Sequence, residues 1–188
     1  MNLPNKLTIL RILLVPVYVV FFLVEITDYH YLIATGIFII ASITDLLDGK
    51  IARKRKLVTD FGKFADPLAD KLLVISALIC FVEKGFMPAW ACIIIVAREL
   101  AISGFRLVLS SNGHVLAASM WGKVKTVFQM IFVIFTSLNL PYYLSGINGL
   151  SHTIEIICSI LMYIVIALTV VSLIDYFVKN KGFFDIKN

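Results

Sequence analysis

Residues 45–70 read DLLDGKIARKRKLVTDFGKFADPLAD, with acidic and small residues at fixed offsets. Asp45 and Asp48 are three apart, and Asp66 and Asp70 are four apart. On an α-helix either spacing projects both side chains from one face. The surrounding chain is greasy enough to be membrane throughout, where an ionised carboxylate is expensive and needs a reason to be present. Two acidic pairs facing each other from two helices make a four-carboxylate cup. Left empty, such a cup is a knot of like charge at low dielectric; divalent cations neutralise it. A solvated acidic loop between two helices would explain neither the two helical spacings nor the glycines.

The 188-residue chain is 60% hydrophobic, with a mean hydropathy of +0.96. That exceeds the apolar content of ordinary soluble domains and implies a polytopic membrane protein. Apolar runs suited to crossing a bilayer, about 20 residues each, lie at Ile12 to Val24, Tyr31 to Leu47, Leu68 to Phe81, Pro88 to Leu109, Val124 to Leu140 and Ile154 to Phe177. The expected fold is all-α, a six-transmembrane-helix bundle. The first and third runs are short, so their polar ends must be embedded or the helices must continue into flanking residues. With no linker, repeat or low-complexity stretch, residues 1–188 read as a single membrane domain. The run after Arg11 lacks a following small-x-small cleavage site and is expected to remain as the first helix.

Cys80, Cys92 and Cys158 fall within the apolar runs without metal spacing and read as small packed hydrophobes, with no disulfide expected. His30, His114 and His152 lie near helix ends or loops and read as solvated or interfacial. No role is assigned to them.

Basic residues set the topology. Lys6 and Arg11, the group from Lys50 to Lys63, Lys123 with Lys125, and Lys179 to Lys187 all fall on one side of an even number of crossings. The opposite loops carry only Lys84. The positive-inside rule then puts both termini and the acidic cup in the cytoplasm. Much of the net charge of +5 suits anionic headgroups rather than nucleic acid, which is not expected as a partner. Counted from Tyr31 at about 1.5 Å per residue, Asp45 lies roughly 21 Å and Asp48 about 26 Å along a core about 30 Å thick. The carboxylates thus sit slightly below the inner surface. Asp66-Pro67 suits the first turn of the third helix, which would start at the site.

The full pattern, D-x-x-D-G-x-x-A-R, eight residues, then G-x-x-x-D-x-x-x-D, resembles the signature of the CDP-alcohol phosphatidyltransferases, with every fixed position filled. The resemblance implies that Asp45, Asp48 and Asp66 bind metal and that Asp70 is the base and a further ligand. Oxygen-only donors favour Mg²⁺, two per site, with Mn²⁺ an acceptable substitute. Gly49, Ala52 and Gly62 lack bulk where the diphosphate and cytidine of CDP-diacylglycerol would approach, and Arg53 offers a forked donor. Helix packing is the alternative for the small residues. In similar proteins a short N-terminal interfacial helix lies against the nucleotide, which would engage Asn5 and Thr8; capping or headgroup contact is the alternative. The family also implies a homodimer.

Ala97-Arg98-Glu99, Arg106 and Gly122-Lys123-x-Lys125-Thr126, with the opening Leu3-Pro4-Asn5-x-Leu7-Thr8-x-x-Arg11, look like the branch of that family that makes phosphatidylglycerophosphate in the bacterial plasma membrane. Arg98, Arg106, Lys123 and Lys125 would then hold the phosphate of sn-glycerol 3-phosphate. An Arg98-Glu99 packing pair and snorkelling lysines remain the alternatives. So do family members whose acceptors are phosphatidylglycerol (cardiolipin synthesis), serine or an inositol phosphate. From another class, a divalent-cation transporter would also place acids in the membrane, but nearer the midplane.

Overall fold

The structure is a computed structural model. It describes residues 3–55, 60–111, 119–144 and 150–180, with side chains for all of these except 3–6, 45–55, 60–67, 70, 108, 110 and 111. Seven helices follow in order: α1 Leu3–Leu23, α2 His30–Arg55, α3 Asp60–Glu83, α4 Ala89–Ser111, α5 Met120–Ser137, α6 Leu140–Tyr143 and α7 Leu150–Lys179. No strand occurs among the described residues. Each of the six expected runs lies in a long helix. The single turn α6 is additional, with Pro141 in its first turn and Asn139 before it in the left-handed region, φ 40°.

Two boundaries differ from expectation. The chain from Leu3 to Leu23 is one continuous helix rather than a short interfacial helix followed by a span. Pro4 falls in the first turn, where a missing N–H breaks no bond, so nothing separates the polar opening from the apolar run. Thr8 and Arg11 are consequently buried inside the bundle. The third helix starts at Asp60, six residues before Asp66, so Pro67 lies inside it rather than at its opening. A proline there removes the donor that the carbonyl of residue 63 would otherwise receive.

Helix α1 packs on α2 and α3, α7 packs on α5 and α4, and α3 joins the two groups through α4 and α5. The bundle has two unlike ends. At one, aromatic rings from several helices interlock: Phe22 stands edge-on to Tyr31 at 5.2 Å and lies 5.5 Å from Phe81, which meets Phe132 at 5.8 Å. Tyr18 and Ser137 share a 3.0 Å hydrogen bond that ties α1 to the end of α5. His30 belongs to this end. It is fully buried, not solvated, because its Nδ1 lies 3.2 Å from the Phe21 carbonyl and its ring stacks near Tyr31 and Tyr142. Cys80 and Cys92 are buried, as expected of small hydrophobes.

The turn after α3 is a Schellman motif. Phe86 N–H donates to the Phe81 carbonyl at 2.8 Å and Gly85 N–H to Val82 at 3.1 Å, with Gly85 at φ +72°. The Phe81 and Phe86 rings close it on the apolar side. An added Cβ at Gly85 meets nothing within 4 Å, so the penalty of Gly85→Ala is the backbone's alone, about 1–2 kcal/mol. We expect the melting temperature in detergent to fall by roughly 2–8 °C. A Gly36→Ala control, in mid-helix with equally open space, should leave it unchanged or raise it.

The outward surface is apolar on every long helix: Leu13, Ile40, Ile79, Ile93, Val127 and Tyr163 are all exposed. Met120–Tyr143 and Leu150–Lys179 are long and apolar enough to cross a membrane, and Leu7–Leu23 and His30–Thr44 are shorter apolar helices. Exposed apolar side chains around a bundle with charges inside it are the arrangement of a membrane protein.

Candidate active site

The end of the bundle opposite the aromatic cluster carries the aspartate motif. Asp45, Asp48, Gly49, Ala52 and Arg53 lie on the last turns of α2, and Gly62, Asp66 and Asp70 on the first turns of α3. Both stretches are uninterrupted helix, so the spacings of three and four hold on the backbone. Along the helix axis they correspond to about 4.5 and 6 Å. The side chains of these eight residues, and that of Asn5, lie outside the described residues. Four carboxylates at these positions, all hard oxygen donors, would suit a small divalent cation. Among the described residues no group of three acidic, histidine or cysteine side chains offers a second such site.

Next to Asp70 the structure builds something that spacing alone did not reveal. Glu99, in the apolar middle of α4, is buried and accepts hydrogen bonds from Lys71 of α3 on Oε2 and from Lys125 of α5 on Oε1. Arg98 Nη1 donates to the same Oε1 at 2.9 Å, and Arg98 Nε donates to Ser172 Oγ of α7 at 3.1 Å. The Ser172 hydroxyl in turn donates a hydrogen bond to the Thr169 carbonyl at 2.9 Å. One carboxylate thereby links α3, α4 and α5, and Arg98 extends the tie to α7. The burial follows from the chain: flanked by Val96, Ala97, Leu100 and Ala101, the pair at 98–99 can shed its hydration only by pairing.

Lower on the same end, Ser119 donates to Asp175, and Lys179 binds Asp175 Oδ1 at 2.8 Å, fixing the start of α5 to the last turns of α7. A cavity of about 500 Å³ opens between α1, α2, α3 and α5. Its lining is predominantly apolar, from Ile39, Val74 and similar side chains, with Arg11, Ser42, Lys71, Glu99, Thr126 and Gln129 as the polar members. Arg98 and Lys125 stand behind Glu99, away from it.

Of the four cations expected at an acceptor phosphate, the structure gathers two. Arg98 and Lys125 meet at Glu99, with Lys125 fully buried. Lys123, two residues earlier on α5, and Arg106, two turns beyond Arg98, are exposed. Thr8, expected near the nucleotide, is buried in α1, one turn before Arg11 of the cavity wall. Lys71 and Ser172 were missed. A lysine inside an apolar run directly after an aspartate motif was the available signal for the first; nothing in the sequence singled out the second.

Comparison with known proteins identifies the family. The pattern that defines the CDP-alcohol phosphatidyltransferases matches residues 1–181. A Bacillus subtilis protein named CDP-diacylglycerol-glycerol-3-phosphate 3-phosphatidyltransferase is 44% identical, over 95% of each chain. Proteins of the same name from Haemophilus influenzae and Rickettsia felis are 39% and 38% identical, covering 96% and 97% of this chain and 94% and 97% of theirs. A whole-length match that includes both the aspartate-bearing helices and the ionic knot beside them leaves one assignment: the chain belongs to the CDP-alcohol phosphatidyltransferase family.

Proposed function

We propose that the chain transfers the phosphatidyl group of CDP-diacylglycerol to sn-glycerol 3-phosphate, giving phosphatidylglycerophosphate and CMP. The observation that carries the acceptor is the convergence of Lys71, Arg98 and Lys125 on one carboxylate directly beside the aspartate-bearing helix. Lys71 at the cavity wall, with the positive charge of Arg98 and Lys125 behind it, suits an acceptor that already bears a phosphate.

Asp70 takes the proton of the acceptor's primary hydroxyl. Its oxygen forms the new bond to the diacylglycerol-linked phosphorus as the bond from that phosphorus to CMP breaks. Two Mg²⁺ ions, or Mn²⁺, held by Asp45, Asp48 and Asp66 with Asp70 alongside, would supply charge neutralisation on the diphosphate when bound. Arg53 binds the donor's phosphates, and the small side chains at Gly49, Ala52 and Gly62 let the donor approach α2 and α3. Asn5 borders the nucleotide, with Thr8 packed behind it in α1. Arg98, Lys125, Arg106 and Lys123 provide the positive field that draws in the acceptor.

The exposed apolar face on all six long helices supports six spans over a single domain of residues 1–188. The basic loops support cytoplasmic termini and a cytoplasmic active site in a bacterial plasma membrane. A homodimer completes the proposal.

The test uses purified protein in detergent micelles with radiolabelled glycerol 3-phosphate. Label should enter lipid only when CDP-diacylglycerol is present, stop on chelation with EDTA and resume with Mg²⁺. Preferential use of an unphosphorylated alcohol would overturn the acceptor assignment.

A further inference from the structure

We infer that Glu99 is a positioning residue for the acceptor, holding Lys71 at the cavity wall with Arg98 and Lys125 fixed behind it, a role that rests on the proposed use of glycerol 3-phosphate. Both carboxylate oxygens are engaged and their duties differ. Oε2 receives Lys71, whose side chain is 30% exposed and lines the cavity. Oε1 receives Arg98 and Lys125, which are 9% and 0% exposed. The buried pair therefore fixes Glu99, and Glu99 in turn fixes the one cation of the three that a ligand can reach.

The charge is also matched. Among these described side chains, three cations against one carboxylate leave two positive charges. A phosphate monoester carries about −1.5 to −2 near neutral pH. A free lysine loses about 2 kcal/mol of rotamer freedom when it is immobilised. Glu99 imposes that order before the ligand arrives, so less remains to be lost on binding. Arg11, on the same cavity wall, adds positive charge from α1.

Positioning and simple charge balance predict opposite signs. If Glu99 only diluted the positive field, Glu99→Gln would expose all three cations and lower the KM for a dianionic acceptor. If it positions Lys71, the cations repel one another, Lys71 leaves the wall and that KM rises.

The experiment measures both KM values of the full chain in micelles. Glu99→Gln should raise the KM for glycerol 3-phosphate tenfold or more while the KM for CDP-diacylglycerol stays within threefold, and Glu99→Asp should recover part of the loss. The double variant Glu99→Gln/Lys125→Gln removes one charge of each sign, which guards against misfolding, and should keep the raised acceptor KM. A lowered or unchanged acceptor KM, equal shifts in both KM values, or a return to the wild-type KM in the double variant overturns the inference. Wild-type protein inactive on glycerol 3-phosphate but active on an unphosphorylated alcohol overturns the acceptor reading and this inference together.

Discussion

Asp70→Asn is expected to lower turnover by about 10²–10⁴-fold, the usual contribution of a positioned general base. The amide keeps the shape of the carboxylate on α3 but has no basic lone pair to take the hydroxyl proton. Binding of CDP-diacylglycerol should survive, because Arg53 and the acids at 45, 48 and 66 remain. Asp45→Asn and Asp66→Asn should behave differently, weakening metal dependence and donor binding together. Single-turnover rates beside equilibrium binding of the donor separate the two patterns. A rate within a factor of three of wild type in Asp70→Asn would remove it from the role of base.

The second large effect is on folding. Glu99→Leu removes the shared carboxylate and leaves Lys71, Arg98 and Lys125 facing one another inside the bundle, with Lys125 wholly buried. Breaking a buried ion pair by deleting one partner costs about 3–5 kcal/mol, since the remaining charge keeps its desolvation penalty without compensation. At roughly 2–4 °C per kcal/mol for a chain of this size, the melting temperature should fall by about 6–20 °C. Restoring neutrality with Lys125→Met in the same chain should recover part of that loss. A Glu99→Leu protein that melts with the wild type would mean that solvent or lipid headgroups already screen the cluster.

The six long helices were legible because each contains an apolar run, and hydropathy separates those runs from the polar segments between them. Their ends were less so. Pro67 looked like an opening residue since proline is commonest there, yet α3 extends back to Asp60, so the local preference gave way to continuation of the helix. Likewise Thr8 and Arg11 looked like an interfacial edge but point into the bundle, because α1 does not break after its first turns. The aspartates were found by spacing along single helices. The ionic knot was not, because Lys71, Glu99, Lys125 and Ser172 are 28, 26 and 47 positions apart in turn, and only packing brings them together. Arg98 and Lys125 were picked as unusual charges for an apolar stretch, which is a statement about their energy and not about whom they meet.

Because Lys71 directly follows Asp70 on α3, a single rigid rod carries the proposed base and the cation offered to the incoming alcohol. The spacing between these two backbone positions is fixed by one peptide unit and not by the docking of separate helices. Under the proposed reading, exchanging side chains on α4, α5 and α7 could retune which alcohol is admitted while leaving the nucleotide-handling machinery of α2 and α3 in place. A shared scaffold of this kind offers a physical route by which one set of aspartates serves many headgroups.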